Sequence, residues 1–345
     1  MPALQRTWLR RGAAACALWP ISLVFGALAA LRRGAYRAGW LKSERVPAPV
    51  IVVGNVIAGG SGKTPLVIAL VQHLRSRGMA AGVVSRGYGR AGTGCLEARR
   101  ESDPADTGDE PLLIARACDA PVFVAADRLQ AAHALLAAYP ATQAIVCDDG
   151  LQHYRLRRDI EICVFDERGI GNGWLLPAGP LREPWPRAVD LVVRAGDPPG
   201  IGGFAASRRL ASHARRADGN SIALEQLRGR RLKAIAAIAK PEAFFGMLRD
   251  SGLDLAETIA LPDHHDFLHG PAMDADGCEL ICTEKDAVKL WRLHPQAWAV
   301  PLVLTVEAGF WSRFDSLLDA ALSSAHGPQT SSAGGLSGDQ GPPGP

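Results

Sequence analysis

The chain has 345 residues, 48% hydrophobic and 21% charged, enough to bury a full core and to hold two subdomains. Its seven cysteines are scattered and odd in number with no Cys-x-x-Cys pair, which argues against a disulfide framework or a zinc ribbon and for a reducing compartment. The net charge of +3 is local: Arg6, Arg10, Arg11, Arg32, Arg33, Arg37, Lys42 and Arg45 stand against Glu44 alone, a pattern that fits a membrane surface and not a nucleic-acid partner.

Between Arg11 and Arg32 runs an uncharged segment, Gly12 to Leu31, with Leu18, Trp19, Ile21, Leu23, Val24, Phe25 and Leu28. It is just long enough to cross a bilayer, although Pro20 can kink it. Cleavage as a signal peptide after Ala27-Leu28-Ala29 would export the nucleotide site described next, and Arg32-Arg33 oppose translocation. A buried core helix would not usually carry such basic flanks. Residues 1–45 are therefore expected to anchor the chain in a membrane, with the catalytic body on the cytoplasmic side.

Residues 46–200 are expected to form a nucleotide-binding core. Apolar Val50–Val53 reads as a buried strand, glycines follow, and after Gly62-Lys63-Thr64 the residues Leu66, Val67, Leu70, Val71 and Leu74 recur at helical spacing. In such a strand, loop and helix, backbone N–H groups and the helix dipole face an anionic phosphate, the lysine reaches the outer phosphates, and the threonine hydroxyl can ligand Mg²⁺. The ATP-binding residues are expected to be Ile57, Ala58, Gly59, Gly60, Ser61, Gly62, Lys63 and Thr64, although Ile57 stands where the strict pattern has glycine.

Strand-like and helical stretches then alternate: 63–77, Gly82–Ser85, Glu110–Ala117, Val122–Ala125, 127–138, Ala144–Cys147, Ile160–Phe165 and Leu191–Arg194. That alternation predicts an α/β fold, a mostly parallel sheet flanked by helices, with the ligand beyond the carboxyl ends of the strands. After a Gly/Pro-rich stretch, residues 201–325 read as a smaller second α/β subdomain: strands at Leu232–Ile238, Glu279–Cys282 and Leu302–Val306, helices at Pro241–Asp250 and near Phe310–Leu322. Residues 326–345 lack apolar periodicity and are expected to be disordered.

Three stretches carry titratable groups in informative places. Asp148-Asp149 end an apolar strand, where phosphate-loop enzymes hold Mg²⁺ opposite the loop threonine; the alternative is an ordinary Asp-Gly turn. Thr107-Gly108-Asp109-Glu110-Pro111 precedes a helix, and by composition alone acids there read as capping. In Asp263-His264-His265-Asp266-Phe267-Leu268-His269, no third zinc ligand accompanies His265 and His269. A histidine activated by a carboxylate, deprotonating a hydroxyl, is the better candidate.

Taken together, Gly54-Asn55 with Gly59-Gly60-x-Gly62-Lys63-Thr64-Pro65, Ser85-Arg86-Gly87-Tyr88-Gly89, Thr107 to Pro111, Asp148-Asp149-Gly150-Leu151-Gln152-His153, Gly179-Pro180-Leu181-Arg182-Glu183, Asp263-His264-His265 and Thr283-Glu284-Lys285-Asp286 resemble the tetraacyldisaccharide 4′-kinase family of lipid A biosynthesis. The resemblance implies a P-loop kinase-like fold in a bacterial inner-membrane enzyme. It implies transfer of the ATP γ-phosphate, with Mg²⁺, to the 4′-hydroxyl of an acylated glucosamine disaccharide 1-phosphate in the bilayer. It also implies that Asp109 with His264 forms the catalytic base beside Lys63, and that Thr64, Asp148 and Glu110 surround the metal. Arg86, Arg128, Asp149, Gln152 and Arg182 would serve phosphate or substrate, and Thr283 to Asp286 would lie near the nucleotide base. A partitioning or metal-insertion type P-loop ATPase is the rival reading, but Ala58 stands where that class has a lysine.

Overall fold

The apolar run at Val50 is the centre of a nine-stranded sheet, and the computed structural model describes residues 7–59, 62–263, 265–267 and 277–325. A long helix, α1 (Ala13–Arg37), lies near the N-terminus; it continues past the arginine pair because arginine and alanine sustain a helix. Then come β1 (Val50–Gly54), α2 (Lys63–Ser76), β2 (Ala81–Ser85), β3 (Leu96–Ala98), α3 (Pro104–Thr107) and α4 (Asp109–Ala117). The unit continues with β4 (Val122–Val124), α5 (Arg128–Ala138), β5 (Ala144–Asp148), β6 (Ile160–Phe165), β7 (Leu191–Ala195) and β8 (Phe204–Leu210).

β1 is buried at every residue and pairs in parallel with β5 on one side and β6 on the other. Strands buried on both faces need continuous apolar runs, which Val50–Val53 and Ala144–Cys147 supply. The chain leaves β1 toward β2 and crosses back to β6 on its other side, so a crevice opens beyond the carboxyl ends of β1, β5 and β6. The helical spacing read in the sequence is the packing face of α2: Leu66, Val67, Leu70, Val71 and Leu74 are fully buried against one side of the sheet. Each such side chain contributes about 1.5–3 kcal/mol of burial free energy.

The smaller sheet contains β9 (His213–Arg215), β10 (Ser221–Ala223), β11 (Leu232–Ala236), β12 (Leu255–Ala260), β13 (Glu279–Thr283) and β14 (Trp298–Val300). Helices α6 (Pro241–Asp250) and α7 (Glu284–Leu290) belong to this unit in sequence. The strand at Leu302–Val306, β15, does not. It pairs antiparallel with β8 at the edge of the large sheet, and the final helix α8 (Ala308–Ala325) buries Phe310, Phe314 and Leu318 in the large unit's core. Within residues 201–325 the smaller sheet is thus drawn from residues 213–300. The chain enters and leaves it side by side, where the Ala211 N–H donates to the Pro301 carbonyl at 2.8 Å.

Helix α1 is anchored along the body of the protein. Trp8 Nε1 donates to the Pro177 carbonyl at 2.9 Å, Ser22 Oγ donates to the Leu175 carbonyl and accepts from the Ala178 N–H, and Trp19 and Tyr36 lie against Trp174 and Tyr154. Ile21, Val24, Leu28 and Leu31 remain exposed on the helix. Its 25 residues, at about 1.5 Å each, exceed the roughly 30 Å of a hydrocarbon core, and it is apolar enough to cross one by length and composition.

Candidate active site

The phosphate loop leaves β1 and is pinned by the segment that carries Gly179 to Glu183. Ala58 N–H donates to the Pro180 carbonyl and Arg182 N–H to the Val56 carbonyl, both at 2.7 Å, while Ile57 bridges Leu181. Ile57 and Ala58, expected among the ATP-binding residues, form the first part of this loop. Ile57 is buried and the Ala58 amide is already engaged, so both build the stem of the loop. Gly59, Gly62, Lys63 and Thr64 line the cleft; Gly60 and Ser61 lie outside the described residues. Gly62 sits at φ 71° directly before α2, in the left-handed region that a side chain would strain. A Cβ there would also strike the guanidinium of Arg208, which reaches over the loop from β8.

Opposite the loop, β5 delivers Asp148 and Asp149. Asp148 is buried, its Oδ2 accepts from Ser85 Oγ at 3.1 Å, and among the described residues Oδ1 has no hydrogen-bond partner. Burial and the nearby Glu110 carboxylate push its pKa up to about 7 against the pull of Lys63. Asp149 has φ 50°, a left-handed conformation that aspartate tolerates better than most residues. Burial opposes its charge, but Lys63 at 3.4 Å, Arg182 at 3.3 Å and Arg128 together hold its pKa below the ordinary carboxylate value. Two adjacent carboxylates are thereby split, one easily protonated and one firmly ionised.

The remaining expected site residues divide between wall and frame. Arg86, Glu110, Gln152 and Arg182 line the cleft, and Gln152 Nε2 also donates to the Asn55 carbonyl at 3.1 Å. Arg128 is buried, and its guanidinium donates to the carbonyls of Ala126 and Asp149, bracing the aspartate turn. Asp109 opens α4 after Gly108, whose φ of 88° and close approach to Tyr88 O (2.9 Å from a would-be Cβ) press this loop onto the Arg86-bearing one. Asp109 Oδ2 accepts from Lys289 Nζ of α7 at 2.8 Å. His264, its expected partner, lies outside the described residues. Its neighbour His265 is engaged, with Nδ1 accepting the Phe267 N–H at 2.9 Å and its ring edge-on to Phe267.

Thr283 to Asp286 form a helix cap. Asp286 Oδ2 accepts from Thr283 Oγ1 and from the Ala237 N–H, and burial lifts its pKa to about 6. Thr283, Glu284 and Lys285 also face the cleft. Three residues near the site were not anticipated. Arg168, held on Asp166, approaches Gly59, and the strand-end rule applied to β6 would have found it. Arg208 lies in a strand that the sequence hides, and Lys289 lies beyond the recognisable motif. The whole cleft measures about 2180 Å³ and runs from Lys63 and Thr64 to Phe25, Leu28, Ala29 and Arg32 of α1.

A phosphate loop, a strand-end aspartate opposite it and a second acid at a helix start define an ATP-dependent phosphotransferase of the P-loop class. Comparison with known proteins gives the family. Residues 14–323 match the profile described as Tetraacyldisaccharide-1-P 4'-kinase, and the chain belongs to that family. It is 59% identical over 325 residues to the tetraacyldisaccharide 4'-kinase of Acidovorax sp. (strain JS42), covering 94% of this chain and 96% of that one. With the Polaromonas sp. (strain JS666) protein of the same name it shares 56% identity over 94% of this chain and 100% of that one. Its fold is similar to the crystal structure of LpxK from Aquifex aeolicus in complex with ATP, with a TM-score of 0.78, 27% identity, and coverage of 90% of this chain and 99% of that one.

Proposed function

We propose that this chain transfers the γ-phosphate of ATP to the 4′-hydroxyl of a tetraacylated glucosamine disaccharide 1-phosphate, giving the lipid A precursor, at the bacterial inner membrane with its catalytic body facing the cytoplasm. The observation that carries the reading is the single cleft joining the phosphate loop to apolar residues of α1. An acyl disaccharide stays in the bilayer, so an acceptor chain resting on α1 would bring its sugar toward Lys63 without leaving the lipid.

Phosphoryl transfer needs positioning and charge neutralisation more than covalent chemistry. Lys63, Arg86 and Arg182 supply positive charge around the phosphates. The residues suit Mg²⁺: Asp148 keeps a buried oxygen to offer, with Thr64 and Glu110 on the cleft wall, and Mg²⁺ usually takes its remaining ligands from water and phosphate. When bound, the ion would neutralise charge on the phosphate oxygens. Asp109 with His264 would take the proton from the attacking hydroxyl, and the engagement of His265 with Phe267 favours His264 for that role.

Detergent-solubilised protein given γ-labelled ATP and the tetraacyl disaccharide 1-phosphate is expected to label the lipid. Label recovered only as inorganic phosphate would favour the ATPase reading, which Ala58 and the family match already disfavour. Deleting residues 1–45 is expected to move the protein from the membrane to the soluble fraction, measured by sedimentation after lysis. Unchanged membrane association would assign binding to another surface.

A further inference from the structure

Helix α7 has a feature that neither family membership nor the phosphate loop accounts for. Its rotation is fixed by Ala287, Val288 and Leu290, which are buried, and by the Asp286 cap described above. That rotation leaves Lys285 and Lys289, four residues apart, on one face. Both ammonium groups are committed to carboxylates. Lys285 Nζ donates to Asp263 Oδ1 at 2.9 Å, and Lys289 Nζ donates to Asp109 Oδ2 at 2.8 Å. Asp263 directly precedes His264 in sequence, and Asp109 is the carboxylate expected to work with that histidine. The first contact lies within the smaller unit, and the second crosses to the larger one. Apolar packing of Val288 with Leu112 and Leu113 fixes the distance between α7 and α4 that Lys289 spans.

We propose that Lys285 and Lys289 are positioning residues that hold Asp263 and Asp109 and thereby set the proton-transfer pair across the two sheets. The proposal rests on the reading that Asp109 and His264 handle the acceptor proton. An ordinary surface pair would contribute about 0–1 kcal/mol to stability and nothing to catalysis. The Lys289 contact differs in place, because Asp109 is nearly buried and its orientation matters to the reaction. Misplacement by about 1 Å at such a point costs about 10²-fold in rate.

The test is a mutant cycle on the full-length detergent-solubilised enzyme, with kcat, KM for ATP and thermal unfolding measured for each variant. Lys289→Ala is expected to lower kcat by about 10–100-fold while KM for ATP stays within about twofold. Lys289→Arg should recover a large part of that loss. Placed on Asp109→Asn, Lys289→Ala should cost little more, because the carboxylate that it positions is already disabled. Lys285→Ala on His264→Ala should behave likewise. Equal losses from Lys289→Ala in both backgrounds, a loss confined to KM, or unchanged kcat would each overturn the proposal. If Asp109→Asn alone keeps a near-normal kcat, the proton-transfer reading itself falls; an inactive Asp109→Asn beside a fully active Lys289→Ala would remove only the lysines' role.

Discussion

Replacing Asp148 by asparagine is expected to lower phosphoryl transfer by about 10²–10³-fold, the usual cost of losing one preorganised charge contact, and at the same time to make the protein more stable. The two effects share one cause. The carboxyl group is buried beside Glu110 and Asp149, and its pKa is raised from 3.8 to about 7. A raised carboxyl pKa means that the folded state binds the proton more tightly than the unfolded chain. The stability that it contributes is therefore complete below about pH 4 and is lost as pH rises toward 7. Above that the wild type carries an ionised, partly unsatisfied oxygen, which costs about 1–3 kcal/mol. The asparagine variant lacks this slope, so its melting temperature should exceed that of the wild type at pH 7.5 and converge with it near pH 4. Thermal unfolding without nucleotide or divalent cation, run across this pH range, measures the difference. A variant less stable than wild type at pH 7.5 would show that the Ser85 hydrogen bond and Lys63 outweigh the burial cost.

The second large effect is expected at Asp109. Asp109→Asn preserves shape and the opening turn of α4 but removes the charge, and kcat should fall by about 10²–10⁴-fold, the range for loss of a general base. The dissociation constant for ATP should stay within a few-fold of wild type, because Asp109 belongs to α4 and meets α7, whereas the nucleotide's phosphates would lie on the loop between β1 and α2. Equilibrium nucleotide binding and single-turnover transfer separate the two quantities. A variant with normal single-turnover transfer would remove Asp109 from the chemistry and return it to a capping role.

Much of the fold was legible because a parallel sheet buried on both faces needs uninterrupted apolar runs. Ile160–Phe165 emerges as expected, Val50–Val53 gains only Gly54, and Ala144–Cys147 gains only Asp148. The edges were harder to read. Phe204–Leu210 reads Phe-Ala-Ala-Ser-Arg-Arg-Leu, with neither an apolar run nor strict alternation, and follows a Gly/Pro-rich stretch, so nothing in its pattern distinguishes the strand between β7 and β15 from a loop. Its partner Leu302–Val306 reads as a strand, but its sheet is set by a pairing that spans about a hundred residues of chain and not by sequence adjacency to β14.

The site shows the same division. Lys63, Thr64 and Asp148 lie at strand and helix ends, where the rule for open parallel sheets puts ligands, and they converge on one cleft. Arg128 looked identical in sequence to the cleft arginines; its inward position depends on the carbonyls of Ala126 and Asp149, which no motif announces. The contact of Lys289 with Asp109 joins residues 180 positions apart and depends on how α7 packs against α4. Sequence patterns report where an element's own faces point, whereas such pairings depend on how two elements meet.

The most direct test of the account is the dependence of ADP release on the lipid acceptor. With ATP and Mg²⁺ in detergent micelles, ADP release is expected to be slow alone, to rise steeply when the tetraacyl disaccharide 1-phosphate is added, and to match the 4′-phosphorylated lipid one for one. ADP release that ignores the acceptor, with no phosphate on the lipid, would contradict the coupling of phosphate loop and membrane helix through one cleft.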